Sequence, residues 1–104
     1  MEECPDPAPR TKSNRMICRK TVICNKLGLH TRAASAFVKL AMNFSSTISV
    51  IYLDKSSDGK SIMSMIMLEA GYGAEIEVYV EGSDEEVAVR KLIDFVEQKF
   101  GEAE

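Results

Sequence analysis

Alternating and helical patterns of apolar residues divide most of the chain into short predicted elements. Residues 16–24 are rich in β-branched side chains and predict a strand. Residues 46–53 and 74–82 alternate between apolar and polar positions, which is typical of strands with one buried face. A helix is predicted over residues 30–44, where apolar side chains recur at spacings of three and four: Ala33, Phe37, Leu40, Ala41 and Phe44.

The remaining pattern predicts a turn, a short helix and a longer C-terminal helix. Residues 54–59 have turn chemistry and lead through a short strand end at Gly59 and Lys60 into a Met-rich helix over 61–70. A capping box formed by Ser83 and Glu86 predicts the start of the last helix. Gly101 is predicted to end this helix, and its predicted buried residues are Val89, Leu92, Ile93, Val96 and Phe100.

The predicted element order is β-α-β-β-α-β-α. Strands with one polar face need helices on the other face, so the order indicates a two-layer α+β sandwich. Order alone leaves the pairing of the strands open. Residues 1–15 contain all three prolines and few apolar residues, which predicts a flexible N-terminal tail before one domain over 16–104.

Composition narrows the classes of function. A net charge of -3 argues against general nucleic-acid binding, and no apolar run suggests membrane insertion. The N-terminus does not resemble a signal peptide, so we expect a cytoplasmic protein. Cys4, Cys18 and Cys24 form no C-x-x-C pair and are predicted to be free thiols. With one histidine they are too few for a metal site, and we expect neither metal nor cofactor.

The only histidine, His30, lies where a loop becomes the first helix. It is either a structural helix cap or a nucleophile for phosphate. A nucleophile is favoured by the unpaired amides of the first turn, Thr31, Arg32 and Ala33, and by the positive end of the helix dipole. The Arg32 guanidinium suits phosphate oxygens, and Gly28 permits a tight loop. Neutral imidazole is nucleophilic at cellular pH.

Two motifs extend this interpretation. "LGLHTRAA" and the later "GKSIMSMIML" resemble the histidine-containing phosphocarrier (HPr) family of the bacterial phosphotransferase system. The first family motif, G-[LMI]-H-[AT]-R-P-A, is matched by Gly28, Leu29, His30, Thr31, Arg32 and Ala34. The second, G-K-S-[IL]-[ML], is matched by Gly59, Lys60, Ser61, Ile62 and Met63. The resemblance runs from about Lys20 to Gly101.

The resemblance implies an open-faced β-sandwich, with a four-stranded antiparallel sheet covered on one face by three helices. It implies a monomeric phosphoryl-transfer intermediate rather than a free-standing enzyme. Enzyme I would phosphorylate Nδ1 of His30, Arg32 would assist electrostatically, and an enzyme IIA-type domain would receive the group. Ala33 replaces the family proline, and this region also resembles the nitrogen branch, so the acceptor and any link to sugar transport stay open.

Ser61 is either the N-cap of the Met-rich helix or, as the resemblance implies, a regulatory site for HPr kinase/phosphorylase. Ile62, Met63 and Ile66 match the family's hydrophobic patch and form the predicted partner surface. One alternative is a regulatory binding module that is switched at Ser61 and transports no sugar. Another is a generic two-layer domain with an unrelated role.

Overall fold

Four strands form one antiparallel sheet in the computed structural model, which describes residues 16–102. The predicted tail at 1–15 lies outside the described residues. The sheet order is β1-β4-β2-β3, so the first and last strands in sequence pair with each other. The strands span β1 Met16–Val22, β2 Thr47–Tyr52, β3 Lys55–Asp58 and β4 Glu75–Glu81.

The two central strands bury one face and expose the other, as their alternation predicts. Ile76, Val78 and Val80 of β4 are almost completely buried, as are Ile48 and Val50 of β2. Val50 and Val78 are directly opposite each other in the register. The intervening β4 side chains lie on the other face, which is polar and only partly covered. Burial on one side only is what gives the sheet its open face.

Three helices cover the apolar face of this sheet. They are α1 Thr31–Ala41, α2 Ile62–Met67 and α3 Glu85–Glu97, and a short 3-10 turn follows at Lys99–Gly101. Each helix contributes to one continuous core, with buried side chains that include Phe37, Val38, Met65, Leu92 and Val96. The predicted α+β open-faced sandwich and the order β-α-β-β-α-β-α are confirmed.

The predicted turn over residues 54–59 is wrong, because Lys55–Asp58 forms strand β3, and the strand end predicted at Gly59 and Lys60 therefore lies too late in the chain. The actual reversal lies at Leu53, whose φ of 58° is in the left-handed region. β3 is an edge strand that pairs with β2, and Ser57 is its only buried residue. Backbone hydrogen bonds stabilise an edge strand whatever its side chains are, so a polar sequence can form a strand without the apolar alternation that would predict it.

The predicted capping box at the start of α3 is also wrong. Asp84 is the N-cap, and Glu85 rather than Glu86 reaches back, accepting a 3.0 Å hydrogen bond from the Gly82 amide. The Ser83 hydroxyl instead lies 3.3 Å from that of Ser45. The Asp84 carboxylate does not cap its own helix, because it accepts hydrogen bonds from donors on the loop before β2. Local sequence spacing cannot predict such a tertiary contact.

Asp84 joins two loops through its carboxylate. It accepts hydrogen bonds from the Ser46 hydroxyl, the Ser45 amide at 2.9 Å and the Ser46 amide at 3.1 Å. These bonds, that from the Ser46 hydroxyl above all, lower the pKa of Asp84 below its ordinary value of 3.8. A carboxyl group whose pKa is lower in the folded than in the unfolded chain stabilises the fold, and its contribution is complete at pH values above the unfolded pKa. This contribution is lost as the pH falls through the folded pKa.

We therefore expect Asp84→Asn to lower the free energy of unfolding at neutral pH and to flatten its decline in acid. The amide cannot accept all three hydrogen bonds and does not titrate. Urea unfolding from neutral pH to about pH 3 measures both effects. Asp94→Asn, at an exposed position of α3, is the control and should leave the acid slope unchanged. An unchanged slope in Asp84→Asn would contradict the assignment.

The cysteine prediction is confirmed for Cys24, a half-buried free thiol, and is wrong for Cys18, which is disulfide-bonded. Cys4 lies outside the described residues. None of the helices among the described residues has the length and apolar character needed to cross a membrane. Across residues 16–102, no three His, Cys, Asp or Glu side chains converge as metal ligands would.

Candidate functional site

The loop before α1 is held in place by the loop that follows α2. The Leu29 amide donates to Ala70 O at 2.9 Å, and Leu29 itself is buried. Gly28 has a φ of 73°, and a Cβ built there would lie 2.6 Å from Gly71 Cα and 2.9 Å from Ala70 O. Both the conformation and the lack of space require glycine. The predicted tight loop at Gly28 is confirmed, and it fixes the entry into α1.

His30 is the N-cap residue of α1. Its backbone is extended, its carbonyl accepts from the Ala34 amide at 2.8 Å, and its ring Nδ1 accepts from the Arg32 amide at 3.3 Å. The ring therefore takes the place of the usual Ser or Asp cap. Its side chain is 25% exposed, so it is neither packed into the core nor free in solvent. The helix cap is confirmed, and because the ring stays accessible to a partner, its role as a nucleophile stays a prediction.

The hydrogen bonds of His30 define its tautomer. A backbone N–H can only donate, so Nδ1 must carry a lone pair where it meets the Arg32 amide. The proton then lies on Nε2, which is 2.7 Å from a carboxylate oxygen of Glu102 and donates to it. The nitrogen that faces the helix end is thus the unprotonated, nucleophilic one.

The three amides predicted to receive phosphate lie together at the start of α1. The helical hydrogen-bond ladder begins only with the Ala34 amide. Within residues 16–102, the amides of Thr31 and Ala33 have no acceptor, and that of Arg32 has only the long bond to His30. Unpaired donors and the positive end of the dipole make this a place where an anion is stabilised. The Arg32 side chain is exposed at the same end.

Two residues at this site were missed by the sequence analysis. Glu102 lies beyond α3 and contacts His30, while the Asn25 side-chain amide donates to Gly28 O at 2.8 Å and to Glu102 at 2.9 Å. The hydrogen bond from Asn25, and to a lesser degree the groups of His30 and Arg32, lower the pKa of Glu102 below its ordinary value of 4.5. No local signal could identify Glu102, since 72 residues separate it from His30.

Ser61 is the N-cap of α2. Its hydroxyl accepts from the Ser64 amide at 3.3 Å, and its own amide donates to Asp58 O at 3.0 Å. The capping role is confirmed. The half-buried hydroxyl is at the outer end of a short helix, and its regulatory phosphorylation stays a prediction.

The predicted partner surface is only partly exposed. Ile62 and Met63 are 39% and 66% exposed, whereas Ile66 is half-buried against the core. Met67, which the prediction omitted, is as exposed as Met63. The two loops that meet beside His30 add the exposed side chains of Leu27 and Tyr72.

Comparison with known proteins gives a consistent result. Residues 17–98 match the family model described as the PTS HPr component phosphorylation site. The phosphocarrier protein HPr of Cupriavidus necator is 40% identical over 89 residues, which cover 86% of this chain and all of the relative. The phosphocarrier protein NPr of Shewanella violacea is 38% identical over 85 residues, covering 82% of this chain and 93% of the relative.

Solved structures agree with the sequence relatives. The crystal structure of HPr-C-His from Thermoanaerobacter tengcongensis superimposes with a TM-score of 0.80 at 41% identity, covering 84% of this chain and 98% of that chain. HPr from Bacillus anthracis superimposes with a TM-score of 0.75 at 34% identity, covering 77% and 95%. The chain therefore belongs to the HPr family of phosphocarriers of the phosphotransferase system.

Proposed function

We propose that His30 accepts a phosphoryl group on Nδ1 from enzyme I and passes it to an enzyme IIA-type acceptor, with the protein acting as a cytoplasmic monomer. The observation that carries this proposal is the orientation of the ring. Nδ1 holds its lone pair at the N-terminus of α1, 3.3 Å from the Arg32 amide. A phosphoryl group bound there would meet the amides of Thr31, Arg32 and Ala33.

The same arrangement supports both uptake and release. The amides and the helix dipole stabilise the negative charge of the phosphoryl oxygens without forming a covalent bond to them. Arg32 adds a charge on a long, exposed side chain, which can move toward the group as it arrives. Thr31 and Arg32 are exposed whereas Ala33 is buried, so two of the three donors are at the surface. Their stabilisation of the group is therefore moderate, which suits a carrier that must give the group away.

The exposed apolar residues beside the site support docking of partner proteins. We propose that Ile62, Met63 and Met67 of α2, with Leu27 and Tyr72 of the loops, form one partner surface. Methionine side chains are flexible and polarisable, so they can fit several partners in turn. Ile66 contributes by holding α2 on the core rather than by direct contact.

Phosphorylation from phosphoenolpyruvate and enzyme I tests the proposal directly. We expect one acid-labile, base-stable phosphate per chain, located on His30 by mass spectrometry of proteolytic fragments. The phosphorylated protein should then lose the group to at least one member of a panel of sugar-specific and nitrogen-branch IIA domains. Phosphate on another residue, or no uptake, contradicts the proposal. The panel also identifies the branch.

We further propose that Ser61 is phosphorylated by HPr kinase/phosphorylase with ATP. A phosphoserine at this helix start would keep acceptor oxygens near the Ser64 amide and would add negative charge beside the partner surface. Phosphorylation at this second site would regulate the carrier. If no phosphoryl group is transferred through His30, the alternative function is a regulatory binding module that Ser61 phosphorylation switches.

We expect the wild type to take up acid-stable phosphate from the kinase and Ser61→Asn to take up none. Asparagine retains the N-cap and so separates phosphorylation from stability, whereas Ser61→Ala should also lose about 1 kcal/mol. Ser83→Ala, at an exposed serine, is the control and should behave as wild type. Uptake that persists in Ser61→Asn would show that the site is elsewhere.

A further inference from the structure

The backbone after α3 turns sharply back toward α1. Lys99, Phe100 and Gly101 have consecutive φ values of 61°, 55° and 80°, a conformation that residues with side chains rarely adopt. Phe100 is buried and packs edge-to-face against Phe37 of α1 and Phe95 of α3, with ring centroids 6.5 and 5.9 Å away. Burial of this ring therefore holds an unfavourable turn, and the turn brings Glu102 to His30.

Glu102 is fixed from two directions. One carboxylate oxygen lies 2.7 Å from His30 Nε2 and the other accepts from the Asn25 amide at 2.9 Å. Asn25 is completely buried, and its Oδ1 has no hydrogen-bond partner among the described residues. Reversing this amide would point its oxygen at Glu102 and at Gly28 O, so it must act as a donor to both. An unsatisfied buried acceptor is unfavourable, and such features concentrate at functional sites.

We infer that Glu102 is a positioning residue for phosphoryl transfer through His30, an inference that rests on the function proposed above. It holds the proton on Nε2 and thereby keeps the Nδ1 lone pair available at the helix end. It also faces the positive charge that the ring acquires when it is phosphorylated. Neither role requires contact with the phosphoryl group.

The transfer step shows where the charge appears. The donor's bond to phosphorus breaks and its electron pair stays with the donor atom, while the Nδ1 lone pair forms the new N–P bond. The Nε2 proton remains, so the ring becomes a cation shared between its two nitrogens. A carboxylate 2.7 Å from Nε2 stabilises that charge as it develops. Transfer to the acceptor reverses each change.

Glu102→Gln distinguishes this role from simple anchoring of the chain. The glutamine has the same shape, but the Asn25 donor requires its oxygen, so its NH₂ group must face His30 Nε2. That group donates, which favours a lone pair on Nε2 and a proton on Nδ1. The nucleophilic nitrogen is then blocked for part of the population, and the carboxylate charge is lost.

We expect the Glu102→Gln protein to accept phosphate from enzyme I about 10- to 100-fold more slowly than wild type, as for loss of a charged hydrogen bond. Nitrogen-15 NMR of the unphosphorylated full chain should show His30 protonated on Nε2 in the wild type and redistributed toward Nδ1 in the variant. Glu97→Gln, an exposed residue at the end of α3, is the matched control and should change neither quantity.

The outcomes separate this inference from the proposed function. Equal rates and an unchanged tautomer in Glu102→Gln would overturn the inference while leaving His30 as the acceptor. A slower rate with an unchanged tautomer and a lower melting temperature would also overturn it, because anchoring alone would then explain the loss. A wild type that takes no phosphate on His30 would overturn the proposed function, whereas the NMR result would still report on the tautomer.

Discussion

Replacing His30 with asparagine is expected to abolish phosphoryl uptake from phosphoenolpyruvate and enzyme I. The imidazole places the Nδ1 lone pair at the N-terminus of α1, whereas asparagine offers no nitrogen lone pair that can form a stable bond to phosphorus. Rapid-quench assays with radiolabelled phosphoenolpyruvate and enzyme I should show no transfer to the variant above the background measured without the carrier protein. Phosphate on the variant at the wild-type rate would contradict the assignment of His30.

The choice of substitution separates chemistry from folding. His30 caps α1 through Nδ1, so alanine should remove both the nucleophile and the cap, lowering the free energy of unfolding by about 1 kcal/mol. Asparagine is a good N-cap and should keep the stability near that of wild type. Both variants should lose transfer, and only His30→Ala should unfold at a lower denaturant concentration. A stable, folded but inactive His30→Asn protein isolates the chemical role.

The second large effect is expected at Gly28. Alanine there must adopt a φ of 73°, which costs about 1–2 kcal/mol, and its Cβ would collide with Gly71 Cα and Ala70 O. Relieving such overpacking costs a further 1–3 kcal/mol or so. We expect Gly28→Ala to destabilise the fold by about 2–5 kcal/mol and to slow phosphoryl transfer, because the loop that presents His30 would move away from Ala70.

Two neighbouring glycines separate the contributions. Gly73 also has a positive φ, 84°, but a Cβ there would meet nothing within 4 Å, so Gly73→Ala should show the conformational cost alone, about 1–2 kcal/mol. Gly71→Ala should be close to neutral, since it has open space and no positive φ. Denaturant unfolding of the three variants measures the series. Equal losses at Gly28 and Gly73 would show that the packing of the two loops contributes little.

The local patterns were sufficient for most of the architecture. The alternation of Ile76, Val78 and Val80 predicted the buried face of β4, and the spacing from Ala33 to Ala41 predicted the buried face of α1. Strand β3 was predicted too late in the chain, at Gly59 and Lys60, because its pairing depends on backbone hydrogen bonds to β2 and its polar serines are typical of a turn. The capping of α3 was predicted wrongly because Asp84 binds Ser45 and Ser46, which are distant in sequence.

The residues of the candidate site likewise divide into those that local sequence features predict and those that only tertiary contacts bring together. His30, Arg32 and the first amides of α1 could be predicted because a helix start and its unpaired donors are local features, and the family resemblance extended that prediction to the chemistry. The sequence by itself therefore determined where the nitrogen proposed to accept phosphate lies and which donors could stabilise a phosphate there. Only the tertiary structure decided that a carboxylate faces Nε2, because Glu102 reaches His30 through the turn held by Phe100. Hydrophobic periodicity describes what each segment buries, but contacts between distant polar groups depend on how the buried segments come together.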